Sequence, residues 1–152
     1  MSKKAQMLKK LLKRFTEDNQ PAADKHTLDL SAAALLVEVM RADHSIDADE
    51  QHELSQVLDE LFQLTANEIS ELLQQAEHVS EQASDLFQFT DVVHKHFSTE
   101  QKFDLLTGLW RIAYASAGID KYEEHIIRRI AELLYMPHSE FIRAKLIARP
   151  EL

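Results

Sequence analysis

Cysteine is absent from this chain of 152 residues, and glycine (2) and proline (3) are scarce. The first absence excludes a disulfide framework and any thiolate-bound metal, and it suits a reducing compartment. The second removes the residues that make tight hairpin turns, so a sheet-rich fold has little to turn on. No apolar run approaches the roughly eighteen residues needed to cross a bilayer, and the N-terminus lacks the unbroken apolar stretch of a secretion signal. We therefore expect a cytoplasmic protein, with membrane association open only through a surface-lying segment. A glycine-rich phosphate loop, a nucleophile elbow and a histidine-plus-nucleophile constellation are missing as well. Catalysis has no support beyond scattered carboxylates, and the expectation is that the protein is not an enzyme.

What is present favours helix. Leu, Ala, Glu, Gln and Ile are abundant, and the length is that of one domain able to bury a core unaided. The net charge of -9 is unevenly spread, because residues 1–14 carry Lys3, Lys4, Lys9, Lys10, Lys13 and Arg14 with no acid. Removing those six from the 17 bases leaves 11 against 26 acids, so the body is near -15. Such a body repels nucleic acid and attracts cations or basic partners.

Apolar spacing divides the chain into seven or eight helices, an all-α compact bundle. Met7, Leu8, Leu11, Leu12 and Phe15 form one stripe among lysines, a basic amphipathic helix. With the polar, proline-containing connector that follows, it makes an N-terminal unit over residues 1–20, ahead of a helical domain over 27–148. A strongly apolar helix runs from Thr27 to about Arg41, a second opens at Asp47, and a third follows Thr65 and fades into a loose polar stretch at 78–83. Ser84 opens a short helix containing Phe87 and Phe89, both expected in the core, and Ser98 opens a central one through Trp110 and Tyr114. Asp120 opens the next, and after Pro137 a last helix carries Phe141, Ile142, Leu146 and Ile147. Thr65 with Glu68 and Ser98 with Gln101 have capping-box spacing.

The chain also repeats itself. Leu36, Val37, Ala42, Ile46, Asp47, Glu50, Leu54, Val57 and Leu61 match Leu109, Trp110, Ala115, Ile119, Asp120, Glu123, Ile127, Ile130 and Leu134 at a constant offset. Two copies suit a closed bundle of helix pairs about a pseudo-twofold axis better than a solenoid, which needs more repeats. Each copy contains an acidic joint between helices: Arg41 to Glu50 in the first, Ala115 to Glu123 in the second.

The segment Leu35-Leu36-Val37-Glu38-Val39-Met40-Arg41-Ala42-Asp43 leading to Ile46 and Glu50 resembles the TerB family. These are small all-helical tellurite-resistance-associated proteins whose domain also forms part of the DjlA co-chaperone. Leu109 to Ala115, Tyr122-Glu123-Glu124-His125, Arg128 to Leu134, and Pro137-His138-Ser139 with Phe141 and Lys145 are similar to its stand-alone bacterial subgroup. His44 replaces the glycine of the family's A-D-G, and Ser116 stands where its second aspartate is expected. The resemblance implies a compact helical fold, a cytoplasmic setting, a role connected with metal or envelope stress, and divalent metal bound through these acids.

The residues themselves allow two readings of the joints. Asp43, Asp47, Asp49 and Glu50 offer several hard oxygen donors within eight residues. An EF-hand is excluded, since Ala48 takes its glycine position and Leu54 its bidentate glutamate position. Asp47 with Glu50, and Asp120 with Glu123, are equally explained as acids at the positive end of a helix. Asp43 follows a helix end, where the dipole opposes an acid, and has no such explanation. The candidate divalent-cation site is thus Asp43, Asp47, Glu50, Asp120 and Glu123, shared between the joints if they meet, with no other cofactor. The eight histidines lack zinc spacing: His94 and His96 diverge, and His52 and His125 turn away from the glutamates. The alternative to a cation-binding module is a protein-interaction adaptor, with a protein partner and merely capping joints. Residues 1–15 either pack on the acidic body or lie on an anionic membrane, and the oligomeric state is left open.

Overall fold

The structure, a computed structural model, describes residues 24–42, 48–115, 119 and 121–150. Among these residues there are seven helices and no strand. They are α1 (Lys25–Arg41), α2 (Ala48–Phe62), α3 (Ala66–Gln82), α4 (Phe87–His96), α5 (Thr99–Ala115), α6 (Lys121–Leu133) and α7 (His138–Ala148). The N-terminal segment expected as a basic helix, and the joint residues Asp43, Asp47 and Asp120, lie outside the described residues.

Two helices form the centre because they are apolar on more than one face. From Leu30 to Val37, α1 is buried without interruption, and α5 buries Leu105, Leu106, Leu109, Trp110, Ile112 and Ala113. They touch each other, and each has its own cover: α3 and α4 pack on α1, whereas α7 packs on α5. Across the centre, α2 packs on α5, while α6 touches α1 and α5 alike. Gly108 sets the closeness of the first crossing. A Cβ there would stand 2.7 Å from Val57 Cγ1 and 3.6 Å from Leu36 Cδ2, so only a residue without a side chain fits between the helices.

The helix starts show both how local signals work and where they are incomplete. Thr65 and Glu68 close the expected capping box, with Thr65 Oγ1 accepting from the Glu68 N–H at 3.2 Å and the Thr65 N–H donating to Glu68 Oε1 at 3.0 Å. Ser98 and Gln101 do the same at 3.1 and 2.8 Å. The first apolar helix begins at Lys25 rather than Thr27, because the Asp24 side chain accepts from the Thr27 N–H at 2.8 Å and caps it earlier.

Two further expectations are corrected. Residues 78–82 are not loose but continue α3, because Val79 and Ser80 are buried against α1. There Arg41 Nη1 donates to Ser80 Oγ at 2.8 Å, and that hydroxyl donates to Glu38 Oε1 at 2.5 Å. The fourth helix begins at Phe87 after Asp85 accepts from the Phe87 N–H at 2.9 Å, and Phe87 itself is 59% exposed while Phe89 is buried. Of the last helix's apolar residues Phe141 is buried, whereas Ile142, Leu146 and Ile147 face outward at 38%, 61% and 57% exposure.

Candidate functional site

The ends of α1 and α5 and the starts of α2 and α6, which flank the undescribed joints, lie on the same side of the bundle. Arg111, one turn before the end of α5, pairs with Glu53 in the second turn of α2 at 2.5 Å and also reaches Glu60. In the other half, Arg41 and Ala42 at the end of α1 share a shallow depression with Ile126 of the second turn of α6. A second cleft runs along α5 from Gln101 to Arg111, against Lys25 and Asp29 of early α1 and Glu60 and Gln63 at the end of α2. Asp29 and Asp104 share this cleft, and Leu36 meets Gly108 further along both helices, so the central helices run in the same sense.

Of the five candidate ligands, Glu50 and Glu123 are described, and both are completely buried at 0% exposure. Each is the third residue of its helix, α2 and α6 respectively, as expected of acids that help start a helix. Capping alone does not require such burial. Glu68 and Gln101 complete capping boxes in this protein while exposed to solvent. Removing a carboxylate from water costs several kcal/mol, roughly, unless dipoles, hydrogen bonds or a cation replace the lost hydration. The positive ends of α2 and α6 supply part of that compensation. Among the described residues no group of three potential ligands gathers around a metal position; Asp43, Asp47 and Asp120 stand in the undescribed joints. His52 and His125 are exposed.

Two polar features escaped the sequence. Lys102 is 9% exposed, its Nζ lies 2.7 Å from His94 Nδ1, and it donates to the Leu134 carbonyl at 3.3 Å. Loss of hydration lowers its amine below the ordinary lysine range. The second is the cleft of about 590 Å³ between α1, α2 and α5, floored by half-buried Leu28, Leu61, Phe62 and Phe97. Asp29 lies in it, buried, and accepts from Lys25 Nζ at 2.8 Å; burial raises its carboxyl pKa against the opposing pull of Lys25. At the rim, desolvation and then the neighbouring Glu100 raise Asp104. A polar Asp29 inside the apolar run of α1 was the one sequence signal for this cleft.

Fold and site together define an all-helical bundle with two buried acids, each the third residue of its helix. The profile of the tellurite resistance protein TerB matches residues 29–146, so the chain belongs to the TerB family. No curated protein and no solved structure matches the chain. Among the described residues no helix is long and apolar enough to cross a membrane.

Proposed function

We propose that this TerB-family chain is a non-catalytic, stress-associated cytoplasmic module that binds a divalent cation where its two joints meet. The observation that carries this reading is the complete burial of Glu50 and Glu123, each the third residue of its helix. Asp43, Asp47 and Asp120 complete the donor set by their place in the sequence. All five offer hard oxygens, which suit Ca²⁺, Mg²⁺ or Mn²⁺ and leave zinc the weaker candidate. A bound cation would neutralise acids that the fold holds out of water, and would tie the α1–α2 pair to the α5–α6 pair. Contact of α2 with α5 and of α6 with α1 supports a pseudo-twofold relation of the two pairs.

Calorimetric titration of Ca²⁺, Mn²⁺ and Zn²⁺ into the full chain, repeated with Glu50→Gln and Glu123→Gln, tests the reading. Saturable heat that either substitution weakens at least tenfold is expected. No heat and no thermal shift at millimolar metal would leave the adaptor as the better account. That second reading is favoured by Ile142, Leu146 and Ile147, which expose apolar surface on α7 to a protein partner.

A further inference from the structure

The cleft between α1, α2 and α5 combines apolar residues with Asp29, Glu60 and Asp104, and Lys25 at the start of α1 stands in its wall. Its floor is apolar and half-buried: Leu28, Leu61, Phe62 and Phe97 all retain exposure. Lys25 pairs with Asp29, and Arg111 with Glu53 and Glu60, so these two bases are already engaged. Asp104 and Glu100 are different. They are one helical turn apart, carry like charge, and have no ion pair among the described residues. A cation placed at Asp104, which lines the cleft, would relieve its repulsion with Glu100 beside it.

Residues 2–17 offer the matching surface. Leu8, Leu11, Leu12 and Phe15 make the apolar stripe, and six bases with no acid accompany it in residues 1–14. As a helix, Met7 to Phe15 covers about 12 Å, and the stretch of α5 along the cleft from Gln101 to Arg111 covers about 15 Å. The tether also fits. Residues 18–24 reach at most about 24 Å, and they end at Asp24, next to Lys25 and Leu28 in the cleft wall.

We propose that the basic amphipathic segment 2–17 docks intramolecularly in this cleft, its leucines and Phe15 on the apolar floor and its lysines at Asp104 and Glu100. A seat inside the molecule competes with an anionic membrane for the same stripe, so docking and membrane contact exclude each other.

The chain has no cysteine, so a single Gln6→Cys in the full chain accepts a nitroxide on the side opposite the stripe. Paramagnetic broadening is then read on the backbone amides without membranes present. The expected result is that Leu61, Gln63, Gln101 and Thr107 lose most of their intensity while Ile142 and Leu146 keep theirs. Mixing spin-labelled protein of natural isotope content with unlabelled ¹⁵N protein is expected to abolish the effect. Lys9→Glu combined with Lys13→Glu is expected to restore the lost intensity, with the rest of the spectrum unchanged. Broadening that persists in the mixed sample would overturn the proposal in favour of a second copy. Broadening absent from the cleft, or centred on α7, would overturn it outright.

Discussion

Glu50 and Glu123 stand 73 residues apart in sequence, yet each is the third residue of a helix and each is fully buried. Of the helices that carry them, α2 packs on α5 and α6 touches both α1 and α5, with their starts on the same side of the bundle. Solvent-exposed Glu68 shows that a helix start in this protein works without burying its acid. Burial of both glutamates requires that their lost hydration be replaced, and in the proposed function a bound cation contributes to that replacement.

The contact between Gly108 and Val57 predicts a non-additive pair. Gly108→Ala adds a methyl 2.7 Å from Val57 Cγ1 and is expected to cost about 1–3 kcal/mol by urea unfolding. Val57→Ala makes room for that methyl, so it should cost less in the Gly108→Ala background than alone. Strict additivity would show that the two side chains do not share the space.

Gln63, just past the end of α2, has φ of 54° and is exposed. Glycine adopts that left-handed conformation without the Cβ clash, although it loses more freedom on folding. Gln63→Gly is therefore expected to raise stability by about 0.5–1 kcal/mol, seen as a higher urea midpoint at unchanged slope.

Ser80 joins α3 to the end of α1 through Arg41 and Glu38. Ser80→Ala leaves Glu38 without that donor and is expected to cost about 1–2 kcal/mol. In Glu38→Gln the hydroxyl keeps a neutral acceptor, so the loss should be smaller.

Asp29 sets a pH dependence of definite sign. Burial raises its carboxyl pKa in the folded state above the unfolded value, so the folded chain holds the proton longer. Its stabilising contribution is complete below the unfolded value, about pH 4, and is lost as pH rises through the folded value. Asp29→Asn removes that dependence. Its stability relative to the parent chain should improve between about pH 4 and neutrality, read as the difference in urea midpoints. A difference that stays flat or worsens over that window would contradict the assignment.

What could be read in the sequence was what depends on residues near one another in the chain. The capping boxes at Thr65 and Ser98 were legible because both partners lie three residues apart, and the apolar period of α5 marked it as central. The α3 extension was not, because Ser80 is held in place by Glu38 and Arg41 some forty residues earlier. Phe87 and Leu146 have helical spacing indistinguishable from a buried residue's, and only the packing decides that they face outward. For the site, the sequence singled out Glu50 and Glu123 both as caps and as candidate ligands; their burial is a property of the assembled bundle. The cleft holding Asp29 is built from three helices and left one faint trace.

The most direct test of a shared cation site is to add substoichiometric Mn²⁺ to the ¹⁵N-labelled full chain and follow paramagnetic broadening residue by residue. Our account predicts that the amides of Asp49, Glu50, Tyr122 and Glu123 broaden together and first, and that Ca²⁺ reverses the effect. Broadening at only one joint, or spread evenly over exposed acids such as Glu71, Glu77 and Glu81, would contradict it.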